Sequence, residues 1–76
     1  MMATINLTYT VITNPDSLVG FNFYVASGQV FDAGEYAEAY NLNRTDLDSG
    51  DVNIIQNAAA TLNAGEWLMV SHSIAA

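Results

Sequence analysis

Residues 20–41, GFNFYVASGQVFDAGEYAEAYN, change within one stretch from the pattern of a β-strand to that of an α-helix. Over residues 20–26, Phe21, Phe23 and Val25 alternate with more polar residues. Alternation with a period of two is typical of a strand that buries one face and exposes the other. The stretch therefore predicts a strand that ends near residue 26 and is followed by a helix.

The helical half of this stretch begins with a capping signal. Asp32 stands where a helix N-cap is expected, and Glu35 follows three residues later. This spacing resembles a capping box, in which each side chain accepts a hydrogen bond from a backbone N–H that the helix leaves free. We predict a short helix over residues 32–41, with Tyr36 and Tyr40, one turn apart, as its buried stripe.

A second alternating segment, residues 3–13, precedes this stretch. Its apolar residues fall on one face: Ile5, Leu7, Tyr9 and Val11. Polar residues fall on the other face, so we predict another half-buried strand. Residues 14–17, NPDS, are typical of a turn. Because the connection is short, the sequence predicts an antiparallel hairpin between the two strands.

The C-terminal half of the chain predicts a second helix and a last strand. The helix should begin near Ser49 or Asp51 and end at Asn63, with Gly65 as its C-terminal stop. Its apolar residues recur at helical spacing: Val52, Ile55, Ala59 and Leu62. Residues 66–74 are expected to form the strand.

These elements predict one small α+β domain over residues 1–76. The expected order is β-β-α-α-β, with a three-stranded antiparallel sheet and both helices packed on one face. A chain of 76 residues has the length of a single domain, and its 51% apolar content is enough for one core.

The charge of the chain is strongly one-sided. Eight acidic residues and a single basic residue, Arg44, give a net charge of −7, and lysine and cysteine are absent. Phosphate groups are bound by Lys and Arg, so direct binding of nucleic acid or of an anionic membrane is not expected. Such a field favours a basic partner, although acidity also serves solubility. The lack of cysteine and of a signal peptide fits a cytoplasmic protein.

Catalytic and metal-binding patterns are weak. His72 is the only histidine, and a triad of His72, Ser71 and a distant Asp has no local signature. We therefore expect no enzyme activity and no cofactor. Residues 46–51, DLDSGD, superficially resemble a calcium loop, but the glycine stands fifth instead of sixth and the twelfth position is Asn57 instead of glutamate. A low-affinity calcium site stays an alternative to the reading of these residues as the N-terminus of a helix.

Glu38 has no predicted capping role. It lies one turn from Glu35 on the same side of the helix, and like charges at that spacing repel each other. Either this small cost is tolerated, or the compensating cations belong to another molecule. Carboxylates a few ångströms apart would then imitate a run of phosphates, and Asp16, in the predicted turn, would extend the row if turn and helix lie side by side.

Several segments together resemble the seventh-numbered family of type I-F anti-CRISPR proteins, which are small acidic inhibitors from phages. The segments are TNPD at 13–16, GFNFYVASGQVFD at 20–32, YAEAY at 36–40 and GEWLMVSH at 65–72. Residues 41–55 match that family poorly and look longer here. The resemblance implies the same β-β-α-α-β order.

The resemblance also implies a function and a site. Members of the family bind the large subunit of the type I-F surveillance complex, the Csy complex, in the host bacterial cytoplasm. They act as stoichiometric DNA mimics that block recognition of the protospacer-adjacent motif, and not as enzymes. Asp16 and Glu38 match two of the family's acids. The family has a third acid at the position of Ala37, so this chain departs from the family there. Glu35, one turn before Glu38, carries a charge but does not align with that acid.

We therefore expect a monomeric anti-CRISPR protein with a partner-binding surface of four acids: Asp16, Asp32, Glu35 and Glu38. The alternative is a small acidic phage structural or interaction module that has no CRISPR role and whose acidity serves solubility.

Overall fold

The computed structural model describes residues 4–14, 16 and 23–75. Within these residues the chain forms, in order, β1 (Thr4–Ile12), β2 (Tyr24–Ala26), α1 (Ala33–Ala39), a 3-10 turn (Arg44–Asp46), α2 (Ser49–Ala60) and β3 (Trp67–Ala75). The predicted fold class is confirmed: a small α+β domain of order β-β-α-α-β with a three-stranded antiparallel sheet and two helices. Residues 20–22 of the second predicted strand lie outside the described part.

The sheet order is β1-β3-β2, so the predicted hairpin between the first two strands is wrong. β3 is the central strand: Leu68 is paired with Val11 of β1 on one side and with Val25 of β2 on the other. The physical reason is burial, because Leu68 and Val70 have no exposed surface and the central position covers both edges of their strand. Alternation within a strand predicts its faces, but it does not predict its neighbour.

The core lies between the sheet and the helices. The strands contribute five buried residues: Ile5, Leu7, Val25, Leu68 and Val70. The helices contribute five more: Ala33, Tyr36 and Ala37 from α1, and Ile55 and Ala59 from α2. The connections contribute Phe31 and Leu47. Burial of these side chains is the main stabilising contribution in a domain of this size.

The predicted apolar face of β1 is buried only in its first half. Ile5 and Leu7 are buried, whereas Tyr9 and Val11 remain 42% and 43% exposed. The path of α2 explains the difference. At its start Asp51 bonds to Leu7, and just beyond its end the Leu62 carbonyl accepts a hydrogen bond from Ser27 near β2. The helix therefore crosses the sheet diagonally and leaves the second half of β1 uncovered.

Helix α1 ends as its sequence allows. Tyr40 is the C-cap, and Asn41 adopts a left-handed conformation with φ of 55°. The N–H groups of Asn41 and Leu42 donate to the carbonyls of Glu38 and Ala37, which is the bonding of a Schellman motif. The helix predicted over residues 32–41 is thus found, but it is shorter: it spans Ala33–Ala39, with Asp32 and Tyr40 as its caps.

Helix α2 ends earlier than predicted, at Ala60 and not at Asn63. Gly65 does not stop the helix. It has φ of +84° in a separate turn, in which the Glu66 N–H donates to the Asn63 carbonyl at 3.0 Å. The glycine is required there because the third residue of a type II turn needs a positive φ.

Candidate partner-binding surface

The exposed side of α1 carries Glu35 and Glu38. The opposite side of this helix is buried through Ala33, Tyr36 and Ala37, which recur at i, i+3 and i+4. Packing of that stripe turns both glutamates toward solvent. Two residues three positions apart on a helix place their Cβ atoms about 5–6 Å from each other, so the two carboxylates are neighbours.

Neither glutamate has a partner in the described part of the chain. No hydrogen bond or ion pair joins the Glu35 or Glu38 carboxylate to another described residue. The side chain of Arg44, the single basic residue, lies close to Gly34 in the first turn of the helix, and no ion pair joins it to either glutamate. The charges of Glu35 and Glu38 therefore contribute nothing to the contacts that hold the described fold together.

Asp32 differs from these two acids because it has a structural role. Its Oδ1 accepts hydrogen bonds from the N–H groups of Gly34, at 2.8 Å, and Glu35, at 3.3 Å. The predicted N-cap is confirmed. The reciprocal half of the capping box is absent among the described contacts, since the Glu35 side chain does not return a bond to the Asp32 N–H. Glu35 is thereby left available, while Asp32 stabilises the helix.

Asp16 is exposed, and its N–H donates to the Asn14 side chain at 3.0 Å. It follows β1, whose last residue, Ile12, is paired with Trp67. The described contacts do not join Asp16 to α1. Tyr36 of α1 contacts His72, which is five residues further along β3 than Trp67, or about 17 Å in a strand. The structure thus brings Glu35 and Glu38 together on α1, whereas Asp16 belongs to a separate segment that follows β1.

Ala37, where the resembling family has an acid, is a core residue with only 3% of its surface exposed. An acid at this position of this chain would lie in the core and not on the surface. The exposed acids nearest to Ala37 in the sequence are Glu38, the next residue, and Glu35, two residues before it. The surface of α1 thus carries its acids at positions that the packing of this helix allows.

Three other acids bind backbone groups of the chain. Asp48 caps α2 by accepting a bond from the Asp51 N–H at 3.0 Å. Asp51 in turn accepts bonds from the Leu7 N–H at 3.1 Å and the Asn6 side-chain amide at 3.2 Å. Glu66 accepts a bond from the Asn63 N–H at 2.6 Å. These acids contribute to the fold.

The contact between Asp51 and β1 could not be predicted from sequence spacing, because 44 residues separate Asp51 from Leu7. Its only local signal was an acid in the first turn of a helix, which the helix dipole already explains. These bonds engage one carboxylate oxygen each of Asp48 and Asp51, two of the acids that a calcium ion would need. Within the described residues, no group of three His, Cys, Asp or Glu side chains is placed to hold a metal ion.

His72 is more than an ordinary strand residue. Its Nδ1 lies 2.6 Å from the hydroxyl of Tyr36, and both tyrosines of α1 pack edge-on against its ring. Burial, with a smaller contribution from Tyr40, raises the pKa of Tyr36 well above its usual value, so the hydroxyl stays protonated. Ser71, the preceding residue, is exposed on the opposite face of β3, so it does not share a site with His72.

A shallow cleft of about 470 Å³ lies beside Glu35. Its lining is mostly apolar or uncharged: Phe23, Tyr24, Val25, Gly28, Gln29 and Val30. Val30, at 84% exposure, is the most exposed large apolar side chain among the described residues. A partly apolar cleft and the exposed Val30 side chain therefore adjoin Glu35.

Neither described helix combines the length and the apolar content that crossing a membrane would require. The sequence matches no protein-family model, and no curated protein is significantly similar to it.

Proposed function

We propose that this chain is an anti-CRISPR protein, a stoichiometric inhibitor that binds the large subunit of the type I-F surveillance complex. Its acidic side chains take the place of DNA phosphates on the basic surface that reads the protospacer-adjacent motif. The protein acts without catalysis or cofactor, as a monomer in the host bacterial cytoplasm. The family resemblance of its segments supplies the partner, and the exposed acids of α1 supply the chemistry.

The observation that carries the proposal is the pair of exposed carboxylates of Glu35 and Glu38. The two lie on one side of α1 without a cation from the described chain to neutralise them. Like charges at this spacing cost a few tenths of a kcal/mol, which a basic partner would convert into attraction. Lys and Arg side chains that hold consecutive phosphates are suited to carboxylates at a spacing of a few ångströms.

The exposed Val30 and the partly apolar cleft beside Glu35 support the same proposal. Charges at the rim of an interface contribute little affinity by themselves, and specific binding requires desolvated apolar contacts. Val30 and the cleft with Phe23 and Tyr24 offer such contacts next to Glu35. A basic surface with an aliphatic or aromatic residue at its edge would fit both features.

The four proposed site residues have different roles in this scheme. Glu38 and Glu35 are the primary contacts. Asp32 holds the start of α1 in place and offers its second carboxylate oxygen. Asp16 extends the surface from a separate segment, so it contacts a different part of the partner.

Competition with target DNA tests the proposal. Purified surveillance complex should bind the chain, and the bound complex should no longer take up DNA that carries the protospacer-adjacent motif. Raising the salt concentration should weaken binding, because the contact is between opposite charges. No binding at low or high salt by a folded protein would contradict the proposal and favour the phage module without a CRISPR role.

Charge-matched variants test the site. Glu35→Gln and Glu38→Gln each remove one negative charge and should weaken binding by about tenfold, or 1.4 kcal/mol. Asn57→Lys, on the exposed side of α2, changes the net charge by the same amount and should have a much smaller effect. If all three variants bind alike, only the net field matters and the assignment to α1 is wrong.

A further inference from the structure

The outer edge of β1 has two halves that differ in how they are covered. In the first half, the Ile5 carbonyl accepts a bond from the Asp48 N–H at 2.9 Å, and the Leu7 N–H donates to Asp51. These bonds show that the odd-numbered residues of β1 direct their backbone groups away from β3, since groups alternate between the two edges of a strand. The chain's own residues therefore close this half of the edge.

The second half is open among the described residues. The same alternation directs the N–H and C=O groups of Tyr9 and Val11 outward, and no described residue bonds to them. The side chains of these two residues are also 42% and 43% exposed, since α2 does not reach them. Unpaired backbone groups and exposed apolar side chains thus coincide at one short segment of one edge.

An extended strand is the occupant that satisfies such an edge. Strand edges that avoid pairing carry Pro, Lys or other charged residues. Residues 4–12 contain no Pro and no charged residue. In a chain of net charge −7, this strand carries no charged residue. Two copies can approach through it without a charged side chain on either paired strand.

We propose that two copies of this chain pair through the second half of β1, antiparallel, about a two-fold axis at Thr10. In this register Tyr9 lies opposite Val11 of the second copy, and Val11 lies opposite its Tyr9. Each pair exchanges two backbone hydrogen bonds, so four bonds form, and an aromatic residue packs against a β-branched one in each pair. The two three-stranded sheets become one sheet of six strands.

The pairing is weak because it is short. A stable interface buries roughly 1,200–2,000 Å² in total, which is more than five residues of strand can supply, so we expect a dissociation constant on the order of hundreds of micromolar. The protein is then monomeric at the low concentrations at which it would meet a partner. The net charges of the two copies repel, so salt should strengthen the dimer, whereas it should weaken binding to a basic partner.

Sedimentation equilibrium between about 10 μM and about 1 mM protein tests the proposal, at about 50 and about 500 mM NaCl. The wild-type chain should dimerise with concentration, and several-fold more strongly at high salt. Val11→Lys should weaken dimerisation at least tenfold, although it lowers the net repulsion. Thr4→Lys adds the same charge on β1 outside the paired segment and should dimerise as the wild type does.

Isotope-filtered NMR on a mixture of labelled and unlabelled protein gives a second measurement. It should show contacts between the Tyr9 ring of one copy and the Val11 methyl groups of the other. A chain that stays monomeric to 1 mM overturns the proposal, as does a dimer that Val11→Lys leaves unchanged. If the chain is monomeric and Val11→Lys lowers affinity for the surveillance complex, the edge pairs with that partner and the dimer is wrong.

This inference stands apart from the proposed function. Val11→Lys leaves Glu35 and Glu38 intact, so it should inhibit DNA uptake by the surveillance complex as the wild type does. Loss of the dimer and loss of inhibition are therefore distinguishable outcomes.

Discussion

The two sides of α1 differ in what they contact. One side, with Ala33, Tyr36 and Ala37, is packed into the core, and the Tyr36 hydroxyl lies within hydrogen-bond distance of His72. The other side carries Glu35 and Glu38, which contact no described partner. The buried side explains why the helix lies where it does, whereas nothing in the fold explains the acids. A side chain that the fold does not require is available for a partner.

The acids at the start of α2 differ from Glu35 and Glu38 because they have partners within the chain. Asp48 and Asp51 are also acids near a helix N-terminus, but both accept bonds from backbone N–H groups. Acidity by itself therefore does not mark a functional residue in this chain. An acid is a candidate for partner binding when no described contact of the fold uses it.

Placing an acid on the buried side of α1 should have the largest effect on stability. Ala37→Glu places a charge at a buried position and should cost several kcal/mol, because a buried carboxylate loses its hydration. Ala39→Glu makes the same change at an exposed position of the same helix and should alter stability by less than about 0.5 kcal/mol. Urea unfolding followed by circular dichroism measures both. Equal stabilities would show that α1 does not bury this side.

Removing a structural acid should have the next largest effect. Asp51→Ala leaves the Leu7 N–H and the Asn6 amide without their acceptor, and bonds to a charged group are worth about 1.5–3 kcal/mol. A loss of that size lowers the melting temperature by roughly 4–8 °C per kcal/mol in a domain of this size.

Glu38→Ala is the matched control for Asp51→Ala, since it removes the same charge from an exposed site without a described partner. Its melting temperature should stay within a few degrees of that of the wild type. If both variants melt alike, the distinction between structural and free acids does not hold.

Alkaline pH should reveal the buried side of α1 through Tyr36. Burial raises the pKa of Tyr36 above that of an unfolded tyrosine, which is about 10. Below pH 10 both states keep the proton and stability is unaffected. Above it the unfolded chain loses the proton first, so the free energy of unfolding should fall by up to about 1.4 kcal/mol per pH unit.

The Tyr36→Phe variant separates this titration from that of the other groups. It should start from a lower stability, because the bond to His72 is lost, but it should decline less steeply between pH 10 and 11. Parallel declines of the two proteins in urea unfolding would exclude Tyr36 as the source.

Charge reversal on the exposed side of α1 should have the smallest effect on stability. Glu38→Lys replaces a repulsion with an attraction to Glu35 one turn back, which should stabilise the helix by a few tenths of a kcal/mol. High salt should remove this gain, since both groups are exposed. Thermal unfolding at two salt concentrations measures it, and a destabilised variant would mean that Glu38 has a structural contact after all.

Local chemistry was predicted well. The capping position of Asp32, the buried stripe through Tyr36 and the exposed pair Glu35 and Glu38 all follow from spacing within two turns of chain. The alternation of β1 predicted which of its side chains share a face. These features depend on interactions between near neighbours, which the sequence displays directly.

Contacts between distant segments were not predicted. The position of β3 between β1 and β2, the bond from Asp51 to Leu7 and the exposure of Tyr9 all depend on how α2 crosses the sheet. Spacing along the chain carries no information on such pairs. The contact of His72 with Tyr36 was likewise not predicted, because 36 positions separate the two residues.

By itself, the sequence determined the elements, the fold class and the acidic character of this protein, because each follows from composition or from short-range periodicity. Only the tertiary structure decided which acids are occupied and which are free. Hydrogen bonds over long separations satisfy Asp51, and packing of Ala37 into the core turns Glu35 and Glu38 outward. The reason is that burial and long-range bonding depend on neighbours that only the folded chain brings together.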